Sequence, residues 1–257
     1  MIRKRLPRRL QHGEEATLVE HLGELRARLV ISLLVLVPAF VGAFAYQETL
    51  IEWLARPLPD DRDLVTLGVV EPFTTAIKVS LAAAVAVTLP VLLYQLWSFL
   101  APAVEEHTQR VVSAFAAFAT ALFAGGVAFS YFIILPRALS FLTGFNEDVF
   151  EIQIRASYYF SFVTVTLLAT GLAFQMPIFI LALVRLRILT AERLRRNRRV
   201  GFALMLVFAV LLPTVDPVSL ALEVLPLALL FEVSIHLAAL MERRWRVDDE
   251  PPEEAPV

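Results

Sequence analysis

Apolar residues in this chain form long stretches that contain no charged residue, and segments rich in arginine, acids and proline separate them. A helix needs about 20 apolar residues to cross a bilayer core about 30 Å thick. The pattern therefore predicts six membrane spans, at about residues 29–47, 79–98, 111–135, 158–184, 200–212 and 218–240. The fifth is short, and Pro213, Asp216 and Pro217 follow it, so we expect the last two short spans to form a tight helical hairpin.

Two polar segments flank a single predicted membrane domain at residues 21–242. Residues 1–20 form a basic arm, which could contact either lipid headgroups or cargo. Arg8 and Arg9 before an apolar run resemble a signal peptide, but the run is too long and further spans follow, so we expect no cleavage. Residues 243–257 form an acidic, proline-rich tail that is predicted to be disordered and cytoplasmic.

Composition supports the membrane interpretation. Hydrophobic residues make up 58% of the 257 residues and charged residues 19%, whereas soluble domains have about 45–50% and 25%. The net charge of −2 gives no reason to expect a nucleic-acid partner. The sequence has no cysteine, no HExxH or GxSxG motif and no P-loop, and its four histidines are scattered. We therefore expect no enzyme activity, no catalytic residues, no bound metal and no cofactor.

The distribution of basic residues predicts the orientation. Most lie before span one, between spans four and five, and after span six. The opposite side has only Arg56, Arg62, Arg137 and Arg155. Because cytoplasmic loops carry the excess of Lys and Arg, both termini are predicted to be cytoplasmic.

Prolines recur inside or at the ends of the spans, namely Pro38, Pro90, Pro136, Pro177, Pro213 and Pro226. Each removes a backbone donor and bends or ends its helix. The expected fold is an all-α bundle of kinked helices around a concave surface. Gly125, Gly126 and Gly171 are expected to be close-packing points between helices.

Polar side chains at membrane depth are costly and usually face protein or a wet cavity. Glu232 lies near the middle of span six, with His236 one turn away as a possible partner, and Gln175 lies just before Pro177. For Glu232, an interhelical hydrogen bond and a functional role both remain open. Glu223 is expected to reach water near the outer hairpin.

Acidic residues on the basic side suggest a site for a cationic ligand. Glu24 lies at the start of span one with His21 and Arg26, and Glu105 and Glu106 follow span two. The alternative is an ordinary solvated interface.

Several motifs resemble those of the TatC family, the multi-span receptor subunit of the twin-arginine protein translocase. They are HLGELRAR at residues 21–28, Glu71-Pro72-Phe73 with Lys78, PVLLYQLWSFLAP at 90–102, FQMP at 174–177, PTVDP at 213–217 with Ser219, and Leu230-Phe231-Glu232 after Pro226. The similarity covers roughly residues 17–240. The chain departs from the family pattern at Thr108, which follows His107 where an acid is common, and at Leu212, where a threonine is usual.

The resemblance implies a receptor that binds the twin-arginine signal peptides of folded proteins at the cytoplasmic face of a bacterial inner membrane. It also implies recruitment of single-span TatA/TatB-type subunits, export driven by the proton-motive force, and a homo-oligomer within a hetero-complex. The expected peptide site is Glu24 with Glu105 or Glu106, shaped by His21, Arg26 and Phe99. Gln175 and Pro177 are expected to contact a partner helix, while Glu232, Glu71 and Asp216 are polar groups in the membrane or at its outer face.

Two other function classes remain possible. Kinked spans and an intramembrane Glu232 would also suit a proton-coupled secondary transporter of small solutes. Such a carrier predicts an inverted repeat, and none is visible, because the first three spans are long and the last pair short. A purely structural scaffold for other membrane subunits would differ from the receptor only in lacking a peptide site.

Overall fold

The computed structural model describes residues 18–59, 63–100, 109–150, 152–185, 188–211 and 216–249. Ten α-helices form nearly all of this part of the chain. They are α1 (Leu18–Ala45), α2 (Gln47–Ala55), α3 (Glu71–Leu100), α4 (Gln109–Phe129), α5 (Leu135–Gly144), α6 (Ala156–Ala173), α7 (Met176–Arg185), α8 (Ala191–Arg196), α9 (Arg198–Leu211) and α10 (Pro217–Asp249). Two short strands, β1 (Leu64–Val65) and β2 (Ile154–Arg155), pair in parallel.

Five helical stretches are long and apolar enough to cross a membrane. They are Leu22–Ala45, Glu71–Phe99, Ser113–Gly144, Ala156–Arg185 and Pro217–Glu242. The predicted all-α membrane class is therefore confirmed. Helix α9 has 14 residues and would reach about 21 Å at 1.5 Å per residue, less than a full bilayer core. The sixth span, which was also predicted to be short, is not: α10 has 33 residues and its apolar stretch has 26.

Two spans contain a local change of helix geometry. Between α4 and α5 the chain forms a π-helical turn at Ser130–Ile134, and Pro136 follows it in the first turn of α5. The helix thus continues to Gly144, beyond the predicted end of span three. In span four, the helix breaks at Phe174 and Gln175 and restarts as α7, immediately before Pro177.

Glycine lets α4 and α6 approach closely. A Cβ at Gly126 would lie 2.8 Å from Cγ of Phe174 and 3.0 Å from Cα of Gly171. A Cβ at Gly171 would lie 2.6 Å from the ring of Phe123, while a Cβ at Gly125 would meet nothing within 4 Å. Gly126 and Gly171, but not Gly125, therefore form the expected close-packing point.

Helix α2 lies across one end of the bundle. The hydroxyl of Tyr131 donates to the carbonyl of Trp53 at 2.7 Å, and the hydroxyl of Tyr159 donates to that of Leu54 at 2.9 Å. The rings of Trp53 and Tyr131 stack with centroids 4.1 Å apart. These bonds attach α2 to the third and fourth spans at the end where β1 and β2 pair.

Candidate functional site

The carboxylate of Glu24 lies at the first turns of α1, next to the guanidinium of Arg28 one turn later. Arg28 Nε donates to Oε1 of Glu24 at 3.1 Å, and Nη2 forms a short second bond to the same oxygen. Among the described residues, the other oxygen, Oε2, has no hydrogen-bond donor. The Glu24 side chain is 26% exposed and that of Arg28 18%. The site thus presents a positioned carboxylate with one oxygen available.

Arg28 also ties the start of α1 to the end of α3. Its Nη2 donates to the carbonyl of Ser98 at 2.9 Å, and its Nη1 donates to Oε1 of Gln95 at 3.3 Å. Ser98 lies in the last turn of α3 that the structure describes. These bonds fix Arg28, and with it Glu24, beside this turn of α3.

The other residues predicted for the peptide site are only partly described. Arg26 is exposed and Phe99 is half-buried near the end of α3. The structure describes His21 as part of the helix α1 but does not describe its side chain. Glu105 and Glu106 lie outside the described residues. The structure thus brings Glu24 close to the last turn of α3, which contains Phe99.

Gln175 lies at the break between α6 and α7 and is 1% exposed. Its amide nitrogen donates to the carbonyl of Ala119 in α4 at 2.8 Å. The amide oxygen is buried and has no hydrogen-bond partner among the described residues. Pro177 is also buried, in the first turn of α7. Both residues that were predicted to contact a partner helix are therefore buried. The amide oxygen of Gln175 has no hydrogen-bond donor among the described residues.

Glu71 begins α3 at the end of the bundle that contains β1 and β2. Arg155 Nε donates to its two carboxylate oxygens at 3.0 and 3.1 Å. Backbone N–H groups of Leu67, Gly68 and Ser157 donate to the same carboxylate at 3.0–3.2 Å. The hydrogen bond to Glu71 raises the pKa of Arg155 above its ordinary value. This carboxylate joins the loop before α3 to the start of α6.

Asp216 caps α10. Its Oδ1 accepts from the backbone N–H of Ser219 at 2.7 Å, and Pro217 follows it as the first helical residue. A capping acid followed by proline is a typical helix start. Asp216 is 2% exposed, so this polar group is part of the hairpin between α9 and α10.

Two expectations for the last span differ from the structure. Glu232 Oε2 lies 3.3 Å from Nη2 of Arg198 in α9, and His236 is exposed, so the close charged partner of Glu232 comes from another helix. Glu223, which we expected to reach water, is 1% exposed. Its position near the start of α10 is covered because α10 packs against α7, α9 and α5.

Sequence reasoning did not assign the three arginines Arg28, Arg155 and Arg198 to these pairs. Arg28 could have been found, because Glu24 and Arg28 have the i, i+4 spacing of a helical ion pair. Arg155 and Arg198 have no local signal, since they are 84 and 34 residues from Glu71 and Glu232. No group of three or more His, Cys, Asp or Glu side chains with metal-binding geometry occurs within the described ranges.

Comparison with known proteins identifies the family. A family model for the Sec-independent protein translocase protein (TatC) matches residues 20–226. The chain belongs to the TatC family. It is 35% identical over 231 residues to Sec-independent protein translocase protein TatCd of Bacillus subtilis (strain 168), covering 90% of this chain and 95% of that one. It is 36% identical over 233 residues to TatC of Aquifex aeolicus (strain VF5), covering 88% and 96%.

Solved TatC structures share the fold. The chain superposes on a crystal structure of the twin-arginine translocase receptor TatC in DDM with a TM-score of 0.76 and 34% sequence identity, covering 85% of this chain and 99% of that one. A second crystal structure of the twin-arginine translocase receptor TatC gives a TM-score of 0.74 at 35% identity. This TatC family member is therefore a multi-pass membrane protein of the Sec-independent protein translocase. Its relatives are named as translocase components, which agrees with the expectation of a transport protein.

Proposed function

We propose that this chain is the receptor subunit that binds twin-arginine signal peptides of folded proteins and recruits single-span TatA/TatB-type subunits. The supporting observation is the geometry of Glu24. Arg28 holds one oxygen of its carboxylate, while the other oxygen has no donor among the described residues, and the side chain is a quarter exposed. An incoming guanidinium can therefore bind without displacing Arg28.

The chemistry of the ligand follows from the shape of the acceptor. Arginine presents a planar fork of N–H donors that carboxylates accept in a fixed geometry, whereas lysine presents a single charged point. Hydrogen bonds to charged groups contribute about 1.5–3 kcal/mol each, and less where water competes. We expect each peptide arginine to contribute about 1–3 kcal/mol, and salt to weaken binding by screening.

A second arginine requires a second acid, and Glu105 or Glu106 is our candidate. Both follow Ser98 by fewer than ten residues, and the carbonyl of Ser98 is bonded to Arg28. Seven or eight residues span at most about 25–29 Å, so the sequence separation allows these acids to approach Glu24. His21, Arg26 and Phe99 complete the proposed site, and Phe99 lies half-buried near the end of α3.

The test is retention of the purified protein by immobilised signal peptides carrying either an RR or a KK pair. We expect the RR peptide to bind more tightly, and Glu24→Gln to weaken binding by about tenfold, or 1.4 kcal/mol. A Glu105→Gln/Glu106→Gln double variant should have a similar effect. Glu48→Gln, an exposed acid in α2, is the matched control. Equal binding of the two peptides, or unchanged binding in both acid variants, would refute the assignment.

We also propose that Gln175 and Pro177 contribute to the contact with a partner helix. Both side chains are buried, so their effect on a partner helix is indirect. The amide nitrogen of Gln175 donates to the carbonyl of Ala119, and Pro177 lies in the first turn of α7, so together they fix the shape of the broken fourth span. Interhelical bonds of this kind contribute about 0.6–2 kcal/mol. Gln175→Leu should weaken co-purification of the single-span subunit while RR-peptide binding persists, and Gln175→Glu should retain more of it. Loss of peptide binding with intact partner recovery would reverse the assignment.

The proposed orientation places both termini in the cytoplasm, in a bacterial inner membrane. The cysteine-free sequence makes a direct test possible. Asp148 and Arg196 are exposed and lie on the connections that precede and follow span four. Each can be replaced separately by a single cysteine. A membrane-impermeant maleimide added to sealed cells stripped of their outer membrane should label Asp148→Cys and not Arg196→Cys. The reverse pattern would overturn the orientation.

A further inference from the structure

A cavity of about 620 Å³ lies between α7, α8, α9 and α10. Its wall on α9 includes Leu204, Val207 and Phe208, which are all exposed at the surface of the bundle. Its polar lining residues are Arg193 and Asn197, both at the α8 end. The cavity is therefore an apolar groove with a cationic group at one end.

Glycine and a phenylalanine determine the depth of this groove. Gly201 and Phe231 both line it, and a Cβ at Gly201 would lie 2.1 Å from Cζ of the Phe231 ring. Phe231 is 5% exposed and fixed in the core formed by α7, α9 and α10. Since the ring rests directly on the backbone of α9, the groove has a rigid floor.

The α8 end of the groove is strongly basic. Arg193, Arg195, Arg196 and Arg199 are exposed within seven residues, and Glu192 is the acid in this segment. Basic pockets between membrane helices, at the level of the headgroups, suit phospholipids with anionic headgroups. The charge at the end of the groove is thus complementary to a lipid phosphate with a net negative headgroup.

The size of the groove favours an acyl chain over a helix. One turn of helix with side chains, about 11 Å wide and 5.4 Å long, fills about 500 Å³. The groove therefore holds little more than one turn of a spanning helix, which has more than five. Its volume does lie within the roughly 300–1,000 Å³ of sites that enclose one small ligand.

We propose that this groove is a binding site for an anionic phospholipid, with one acyl chain against Phe231 and Leu204 and the headgroup phosphate at Arg193. Four membrane crossings separate α8 from the start of α1, so the lipid belongs to the leaflet on the side of Glu24. The bound lipid fills the gap between α7 and α9 and supports the short helix α9. This proposal does not depend on the proposed peptide site.

The test is native mass spectrometry of the intact, delipidated protein with dioleoyl phosphatidylglycerol or dioleoyl phosphatidylcholine added. We expect the anionic lipid to be retained at least tenfold more strongly. Arg193→Gln should remove this preference, and Arg193→Lys should keep most of it. Equal retention of the two lipids by the unchanged protein would overturn the proposal.

A bulky residue in the groove tests its location. Leu204→Trp fills the groove and should abolish retention, whereas Leu206→Trp, an exposed position on α9 outside the groove, should leave it intact. Equal losses in the two variants would refute this site. Arg193 is exposed at the end of the groove, so Arg193→Gln does not disturb packing. The lipid preference measured with this variant therefore tests the proposal even if Leu204→Trp folds poorly. Two results together would identify the groove as a protein contact instead. They are displacement of the lipid by a single-span partner helix, and undiminished retention of the anionic lipid by Arg193→Gln.

Discussion

Two carboxylate–arginine pairs, at opposite ends of the bundle, use the same chemistry in different surroundings. Glu71 is 4% exposed by side chain and accepts from Arg155 and from three backbone N–H groups. Glu24 is 26% exposed and accepts from Arg28 through a single oxygen. Both oxygens of the first carboxylate accept hydrogen bonds from the protein, whereas one oxygen of the second has no donor among the residues that the structure describes.

This difference separates a structural ion pair from a candidate binding site. Breaking a buried, fully bonded pair leaves several polar groups without partners, which is strongly destabilising. A partly exposed pair contributes little to stability, because water replaces either partner. The two ends of the molecule should therefore respond oppositely to the same substitution: stability changes at Glu71, and ligand binding changes at Glu24.

The largest expected effect is on stability, at Glu71. Glu71→Ala removes the acceptor for Arg155 and for the N–H groups of Leu67, Gly68 and Ser157, so, among the described residues, the loop before α3 keeps only the short β1–β2 pairing to the residues before α6. We expect the greatest fall in apparent melting temperature among the variants discussed, measured in detergent by intrinsic fluorescence. Glu48→Ala is the exposed control. If Glu71→Ala and Glu24→Ala melted at the same temperature, Glu71 could not be distinguished from Glu24 as the structural carboxylate.

The next effect is on binding, at Glu24. Glu24→Gln keeps the side-chain length and a carbonyl oxygen for Arg28, so the stability loss should be about 1 kcal/mol or less. RR-peptide affinity should nevertheless fall about tenfold, which is 1.4 kcal/mol. Titration with a fluorescent peptide at two salt concentrations measures both the loss and its screening. A large stability loss with unchanged affinity would make Glu24 structural, like Glu71.

A smaller effect is expected at Arg28, which positions Glu24 without occupying its second oxygen. Arg28→Gln should reduce RR-peptide affinity severalfold, because Glu24 is no longer held beside Ser98 and Gln95. Combining it with Glu24→Gln should add little further loss, since residues that act as a unit are not additive. Fully additive losses in this double-mutant cycle would contradict a positioning role.

The smallest effect is expected at the pair between α9 and α10. Glu232 and Arg198 have side-chain exposures of 30% and 43%, and their charged atoms are 3.3 Å apart. Glu232→Gln keeps a carbonyl oxygen that can accept from Arg198, so it should cost only about 0.6 kcal/mol, the average for polar contacts between membrane helices, and leave peptide binding unchanged. Chemical denaturation of Glu232→Gln, alongside that of Glu24→Gln, measures this loss of stability. A loss as large as that of Glu71→Ala would show that exposure does not rank these pairs.

Some local features could be read from the sequence because they depend on neighbouring residues. Asp216 and Pro217 have the residue types of a helix start, and the structure gives Asp216 that capping role. The break before Pro177 also agrees with the expected kink, although it falls at Phe174 and Gln175. Helix ends were less predictable: α1 begins at Leu18, well before the apolar stretch, because a polar helical segment can extend beyond the bilayer.

By itself, the sequence determined the membrane class of this protein and the approximate positions of five long apolar helical stretches. A bilayer core imposes one requirement on every spanning segment, so apolar length alone is informative. Only the tertiary structure decided which carboxylates have both oxygens hydrogen-bonded within the protein and which have an oxygen that can accept a further bond. Glu71 and Arg155 lie 84 residues apart and meet because α3 and α6 pack side by side, and Arg198 reaches Glu232 because α9 folds back on α10. Such pairings depend on how helices pack against one another, and no local pattern encodes that arrangement.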